Sequence, residues 1–147
     1  LEYLETYGVP VLGYQTEEFP AFYSRSSGLP VDCRVDDPSE IARMMKAKWE
    51  LGLAGGLLIA NPIPEAYAMP AGRIDTAIRS SIREAAEMGV KGKALTPFLL
   101  SKVEELTEGR SLQANIQLVL NNAAVAASLA VEYAKLGQKT GPVNGQL

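Results

Sequence analysis

The sequence predicts an α/β fold, a mixed-sheet sandwich with flanking helices, on three observations. Short β-type runs, "VPVLGY", "VDCRV" and "LLIA", are interleaved with helical stretches. The last of them is continuously apolar, as in a strand buried on both faces of a sheet. From about residue 71 onward, apolar residues recur every three or four positions, the helical period. About three strands are legible, against roughly five or six in an average sheet, so helical apolar surface is left without a partner.

Taken in order, the chain opens "LEYLETYGVP" with no Met. Leu1, Leu4 and Tyr7 share a helical face and Gly8 stops it, so the sequence is expected to begin inside a helix, as the second part of something longer. In "VPVLGY", Pro10 assigns the first residues of a strand or a sheet edge. "QTEEFPAFYSRSSGLP" is a long loop that Phe19, Phe22 and Tyr23 pack down. "VDCRV" alternates as a half-buried strand does. In "DDPSE", Asp37 caps a helix, Pro38 takes its first position and Glu40 completes a capping box. That helix runs to about Leu51, with Ile41, Met44, Met45 and Trp49 inward, and Gly52 ends it.

After "LLIA" a second helix covers about Ala71 to Met88, with Ile74, Ile78, Ile82 and Ala85 inward and Gly89 as its stop. In the third, "TPFLLSKVEEL", Thr96 caps and Leu99, Val103 and Leu106 face inward. Ser111 caps a fourth, Ala-rich helix to about Leu136, its buried side marked by Ile116, Val119, Leu120, Ala123, Ala127 and Ala130. Its small residues predict close helix packing, against this chain or a neighbouring subunit. Residues 137–147, "GQKTGPVNGQL", carry no apolar period and are expected to be a disordered tail.

Composition excludes several classes of function. With 147 residues, 47% apolar and 21% charged, the chain suits one soluble domain. A net charge of −3 with the signs interspersed offers no basic stripe for nucleic acid. Neither a signal peptide nor a membrane span is expected. Cys33 is the only cysteine and cannot pair internally, which fits a cytoplasmic setting. There is no histidine, so the commonest general base and the commonest metal ligand are both missing, and no metal site is expected from this chain's own residues.

Candidate chemistry is sparse. Ligands of α/β sheets sit beyond the carboxyl ends of the strands. Asn61 in "ANPIPE" either presents its amide there or only caps an Asn-Pro turn. Glu17, Glu18 and Glu65 lie nearest the strand ends, as an acid/base pair or as solvated loop charges. Lys91 and Lys93 flank Gly92 in an exposed turn and read as surface charges. Asn115 is different. It lies one turn into an apolar helix, where an unpaired amide costs stability. Near the helix start, its amide and the free backbone N–H groups can face a ligand, or the amide can serve a neighbouring loop. Asn121 and Asn122 pose the same question, but adjacent residues cannot share one helical face.

Four long stretches carry a resemblance: "LEYLETYGVPVLGYQTEEFPAFYSRSSGLPV", "GGLLIANPIPE", "GKALTPFLLSKVEELT" and "GRSLQANIQLVLNNA". Together, over residues 1–136, they resemble the carboxyl-terminal half of the pseudouridine-5′-phosphate glycosidase family, also called pseudouridylate synthase or the indigoidine synthase A-like family. The resemblance implies a mixed α/β sandwich, a homotrimer and a reversible reaction. In it, pseudouridine 5′-phosphate and water give ribose 5-phosphate and uracil through an imine between a lysine and C1′ of the opened ribose. It also implies a divalent metal, typically manganese.

Carried over residue by residue, the resemblance places the imine lysine, the acid and the metal aspartate outside this chain, so none of its own residues is expected to be catalytic or to bind metal. Asn115, the asparagine of the "S-L-x-x-N-I" motif, is the one substrate-binding residue that maps, on the uracil side. Asn61 and Thr96 lie in the motifs without a role. The expected partners are the substrate, the missing half and two further copies. The rival expectation is a non-catalytic α/β binding module derived from the same family.

Overall fold

The computed structural model of the protein describes residues 1–138. The predicted α/β class is what it shows. Helix α1 (Glu2–Thr6) is short and stops at Gly8, which has φ +65°. Of its predicted inward face only Leu4 is half-buried, because one and a half turns cannot turn three side chains into one core. Strands β1 (Val11–Tyr14), β2 (Cys33–Val35) and β3 (Leu58–Ala60) form a parallel sheet in the order β2-β1-β3, with Leu12 paired to both Cys33 and Ile59. β1 is therefore central, and Pro10 lies just before it, where its carbonyl accepts from the N–H of Leu58 at 3.0 Å. Cys33 is an exposed thiol on β2.

Helix α2 (Pro38–Glu50) follows the local signals closely. The Asp37 carboxylate accepts from the N–H of Ser39 at 2.8 Å, Pro38 opens the helix, and Gly52 ends it with φ +69°. Helix α3 is Ala71–Glu87, with Gly89 beyond it at φ +68°, and α4 is Leu95–Leu106. Helix α5 runs Arg110–Gln138, so Gly137 and Gln138 are helical where the tail was expected; the rest of that tail, from residue 139, lies outside the described residues.

The chain divides into two compact units. The first holds the sheet, α2 and α5 from Asn122 onward. Its core is Leu12, Val35, Ile41 and Leu129, with Met44, Met45, Ile59 and Val125 packed on it. Trp49, predicted inward, is exposed, with its ring edge-on to Tyr133 at 5.8 Å. The second unit holds residues 18–29, α3, α4 and α5 as far as Asn121. Its core is Tyr23, Ile63, Met69, Ile74, Val103, Ala114 and Leu118. Phe22, predicted to pack, is exposed, and so are Ile82 and Leu106. On α3 it is Ser81 that is fully buried, its hydroxyl donating to the carbonyl of Ala77 at 2.8 Å.

The largest departure is in α5. Its buried positions are Ser111, Ala114, Leu118 and Leu129, while Ile116, Val119, Leu120, Ala123, Ala127 and Ala130 are exposed. The helix is apolar on more than one side, so periodicity alone could not choose the core face. By length and hydropathy α5 could also cross a membrane, which composition had not suggested. Asn115, Gln117, Asn121 and Asn122 along it are costly in hydrocarbon.

Candidate functional site

The second unit builds a frame around the start of α5. Thr107, buried in the α4–α5 turn, donates its hydroxyl to the carbonyl of Val103 at 2.7 Å and accepts from the N–H of Ser111 at 3.1 Å. Glu108 and Gly109 complete the turn in the left-handed region, at φ +55° and +77°. α5 therefore begins at Arg110, and Ser111 is not its cap; Thr107 does that work. The N–H of Arg110 bonds to the carbonyl of Thr107 and that of Gln113 to the carbonyl of Gly109. Three of the helix's first N–H groups are thus taken, which corrects the expectation of free N–H groups facing a ligand.

Ser111 is buried, as is Tyr23 of the preceding loop. Burial is the main reason the Tyr23 phenol is pushed above its ordinary value, and the Ser111 side chain works against it. Tyr23 belongs to a loop with its own clasp. One carboxylate oxygen of Glu18 accepts from the Ser26 hydroxyl at 2.5 Å, the Gly28 N–H at 2.8 Å and the Ser27 N–H at 3.0 Å. These bonds, Ser26 foremost, hold the Glu18 carboxyl below the usual glutamate value. The clasped loop is tied onward, with Arg25 donating to the carbonyl of Ile63 at 2.6 Å and the N–H of Met69 to the carbonyl of Tyr23 at 2.8 Å.

Asn115 stands one turn beyond Ser111, half-buried, and its amide makes no hydrogen bond among the described residues. At about 100° per residue, Asn115 falls between the buried face of Ser111, Ala114 and Leu118 and an exposed apolar side of Leu112, Ile116 and Val119. A carboxamide carries two donors and an acceptor in one plane. Held on a helix with a pinned start, it can pair with a flat imide edge.

The other candidates are structural or solvated. Thr96 is exposed inside the first turn of α4, which starts at Leu95 without a side-chain cap. Asn61, at the end of β3, donates to the side-chain oxygen of Asn122 at 2.8 Å, beside a cleft of about 310 Å³ lined by Ile59, Val125, Ala126 and Leu129. Asn121 donates to the carbonyl of Pro62 at 3.1 Å. Glu17 pairs with Arg34 at 3.7 Å, Glu18 is used in its clasp, and Glu65 is exposed. Lys91 and Lys93 are exposed, as predicted. Lys102 pairs with Glu105 at 2.9 Å and Glu84 at 3.0 Å; these carboxylates, Glu105 first, raise its pKa, the opposite of what a nucleophilic lysine needs.

Sequence reading missed Arg73 and Arg110, which line a cleft of about 180 Å³ with Tyr67, Met69 and Pro70. Their only sequence signal was position, beside Gly72 and Gly109 at helix starts. Among the described residues no three His, Cys, Asp or Glu side chains gather to hold a metal.

Residues 1–132 match the family described as Indigoidine synthase A like protein. The chain is 62% identical over 136 residues to a protein of Caldanaerobacter subterraneus named pseudouridine-5′-phosphate glycosidase, covering 92% of this chain and 44% of that protein. Against the protein of the same name from Escherichia coli K12, identity is 56% over 135 residues, covering 92% and 43%. The chain thus spans less than half the length of these curated relatives. Among solved structures it resembles the prealnumycin C-glycosynthase AlnA in complex with ribulose 5-phosphate, with a TM-score of 0.85 at 32% identity over 94% of this chain and 45% of that one. An indigoidine synthase A-like protein of Thermotoga maritima gives a TM-score of 0.71 at 39% identity over 90% and 42%.

Proposed function

This chain belongs to the indigoidine synthase A-like family, and from that premise we propose that it forms part of a pseudouridine-5′-phosphate glycosidase. The reaction is reversible: pseudouridine 5′-phosphate and water give ribose 5-phosphate and uracil. What carries the reading is the 62% identity over 136 residues to a protein of that name, with "SLQANI" placing Asn115 on a fixed helix start.

Asn115 is the substrate-binding residue. Its amide offers the uracil ring a donor and an acceptor, and the apolar neighbours keep competing water away. Breaking a C–C glycosidic bond needs an electron sink at C1′, since carbon leaves poorly. An imine with a lysine supplies the sink once the ribose ring has opened, and a carboxylic acid returns a proton to the departing uracil carbon. The lysine, the acid and a divalent metal, manganese by the family resemblance, lie on polypeptide outside this chain. The assembled enzyme is a cytoplasmic homotrimer. The isolated chain has no turnover.

The test is uracil release from pseudouridine 5′-phosphate by this chain alone and by this chain co-expressed with the unmatched part of the Caldanaerobacter relative. The reading expects release only from the pair. Release by neither would favour the non-catalytic module.

A further inference from the structure

Arg73 on α3 and Arg110 on α5 line one cleft of the second unit, of about 180 Å³, together with Tyr67, Met69, Pro70 and Gln113. Among the described residues no carboxylate lines it. The Arg73 guanidinium has no hydrogen bond or ion pair among the described residues. Arg110 spends only its Nε, donating to the carbonyl of Thr107 at 3.2 Å, so its terminal nitrogens are left without a partner there. Two like charges on one cleft repel each other unless an anion lies between them.

We infer that this cleft binds the phosphate group of a small molecule, at a site separate from Asn115. The inference goes beyond the proposed reaction and does not rest on it. A guanidinium is a planar fork of donors that matches phosphate oxygens two at a time. A phosphate monoester carries roughly −1.5 to −2 charge at neutral pH and three acceptor oxygens, enough for both arginines. A carboxylate has one charge and two oxygens, enough for one of them. The cleft has room beyond a tetrahedral phosphate, and the added space lies against Tyr67 and Pro70, a wall for a small organic group. On α5, Arg110, Gln113 and Ala114 stand at i, i+3 and i+4 and share one side of the helix. Asn115 is five residues beyond Arg110, about 140° around the axis. A molecule whose base lies at Asn115 would have to pass around a helix about 10 Å across to set its phosphate on these arginines. The two positions therefore take different molecules.

The test is calorimetric titration of the full chain at constant ionic strength with inorganic phosphate, methyl phosphate and acetate. Arg73 and Arg110 are both exposed, so Arg73→Gln and Arg110→Gln should keep the fold, checked by circular dichroism. If one variant misfolds, the other decides. Saturable phosphate binding is expected, weakened roughly 10-fold or more by either substitution, as for a lost charge-assisted hydrogen bond. Arg79→Gln, on an exposed part of α3 outside the cleft, and Asn115→Ala should leave it unchanged. Methyl phosphate binding tighter than inorganic phosphate assigns the site to a phosphomonoester; equal or weaker binding assigns it to the free ion and overturns the organic part. Acetate binding as well as phosphate overturns the phosphate assignment. No saturable binding, binding that survives both arginine substitutions, or loss on Asn115→Ala overturns the site.

Discussion

The Thr107 hydroxyl accepts from the N–H of Ser111 at 3.1 Å, and this bond pins the first turn of α5 from the turn that precedes it. One turn later on the same helix stands Asn115.

Replacing Ser111 with Ala removes the hydroxyl that opposes the rise in the Tyr23 pKa, so that pKa should rise further, read by ultraviolet titration. A raised folded pKa means that the neutral phenol contributes its stability fully below the ordinary tyrosine value. That contribution is lost as pH rises through the folded value. A Ser111→Ala protein with unchanged titration would show that the Ser111 hydroxyl does not act on the phenol.

The Glu18 clasp has the opposite sign. Its carboxyl is depressed by the Ser26 hydroxyl first and by the Gly28 and Ser27 N–H groups after it. Its contribution is complete above the ordinary glutamate value and disappears as pH falls through the lower folded value. Hydrogen exchange at the Ser27 and Gly28 amides should accelerate over that acid window relative to the rest of the unit. Glu18→Gln should exchange fast at neutral pH and lose the pH dependence.

Gly13 tests the central strand. A Cβ there would meet the Thr16 carbonyl oxygen at 2.2 Å and the Val31 side chain at 2.8 Å. Gly13→Ala should destabilise by at least the 1–3 kcal/mol, roughly, of an overpacked core, measured by thermal unfolding. A neutral result would mean that the turn after β1 yields freely.

Much of this fold is written in local chemistry. Asp37 before Pro38, Gly52 after α2 and Gly89 after α3 act through bonds or φ values within a few residues, so each is legible without knowing the fold. Leu58–Ala60 is legible because an apolar run has few other uses. The core face of α5 is not, since Ala114 and Leu118 look no more apolar than Ile116 and Val119, and only the tertiary partners Tyr23, Ile63 and Val103 separate them. Ser111 is not a cap because the Thr107 hydroxyl, in the turn between α4 and α5, takes its N–H, and Thr96 is not one because α4 already starts at Leu95. The candidate site was partly legible. Periodicity marks Asn115 as an anomaly, but its lack of a hydrogen bond among the described residues and its place between the buried and exposed sides of α5 need the fold.

Asn115 itself separates function from stability. With no hydrogen bond among the described residues to lose, Asn115→Ala should change folding stability by no more than about 0.5 kcal/mol. In the complemented enzyme, uracil release should fall roughly 5- to 150-fold, the loss of one directed hydrogen-bonding group worth about 1–3 kcal/mol. Equal losses in both assays would make Asn115 a structural residue.

Intact-mass analysis after borohydride reduction with ribose 5-phosphate asks whether the proposed imine-forming lysine comes from outside this chain. In the complemented assembly one reduced pentose-phosphate adduct is expected on the complementing polypeptide and none on this chain. An adduct on a lysine of this chain would contradict it.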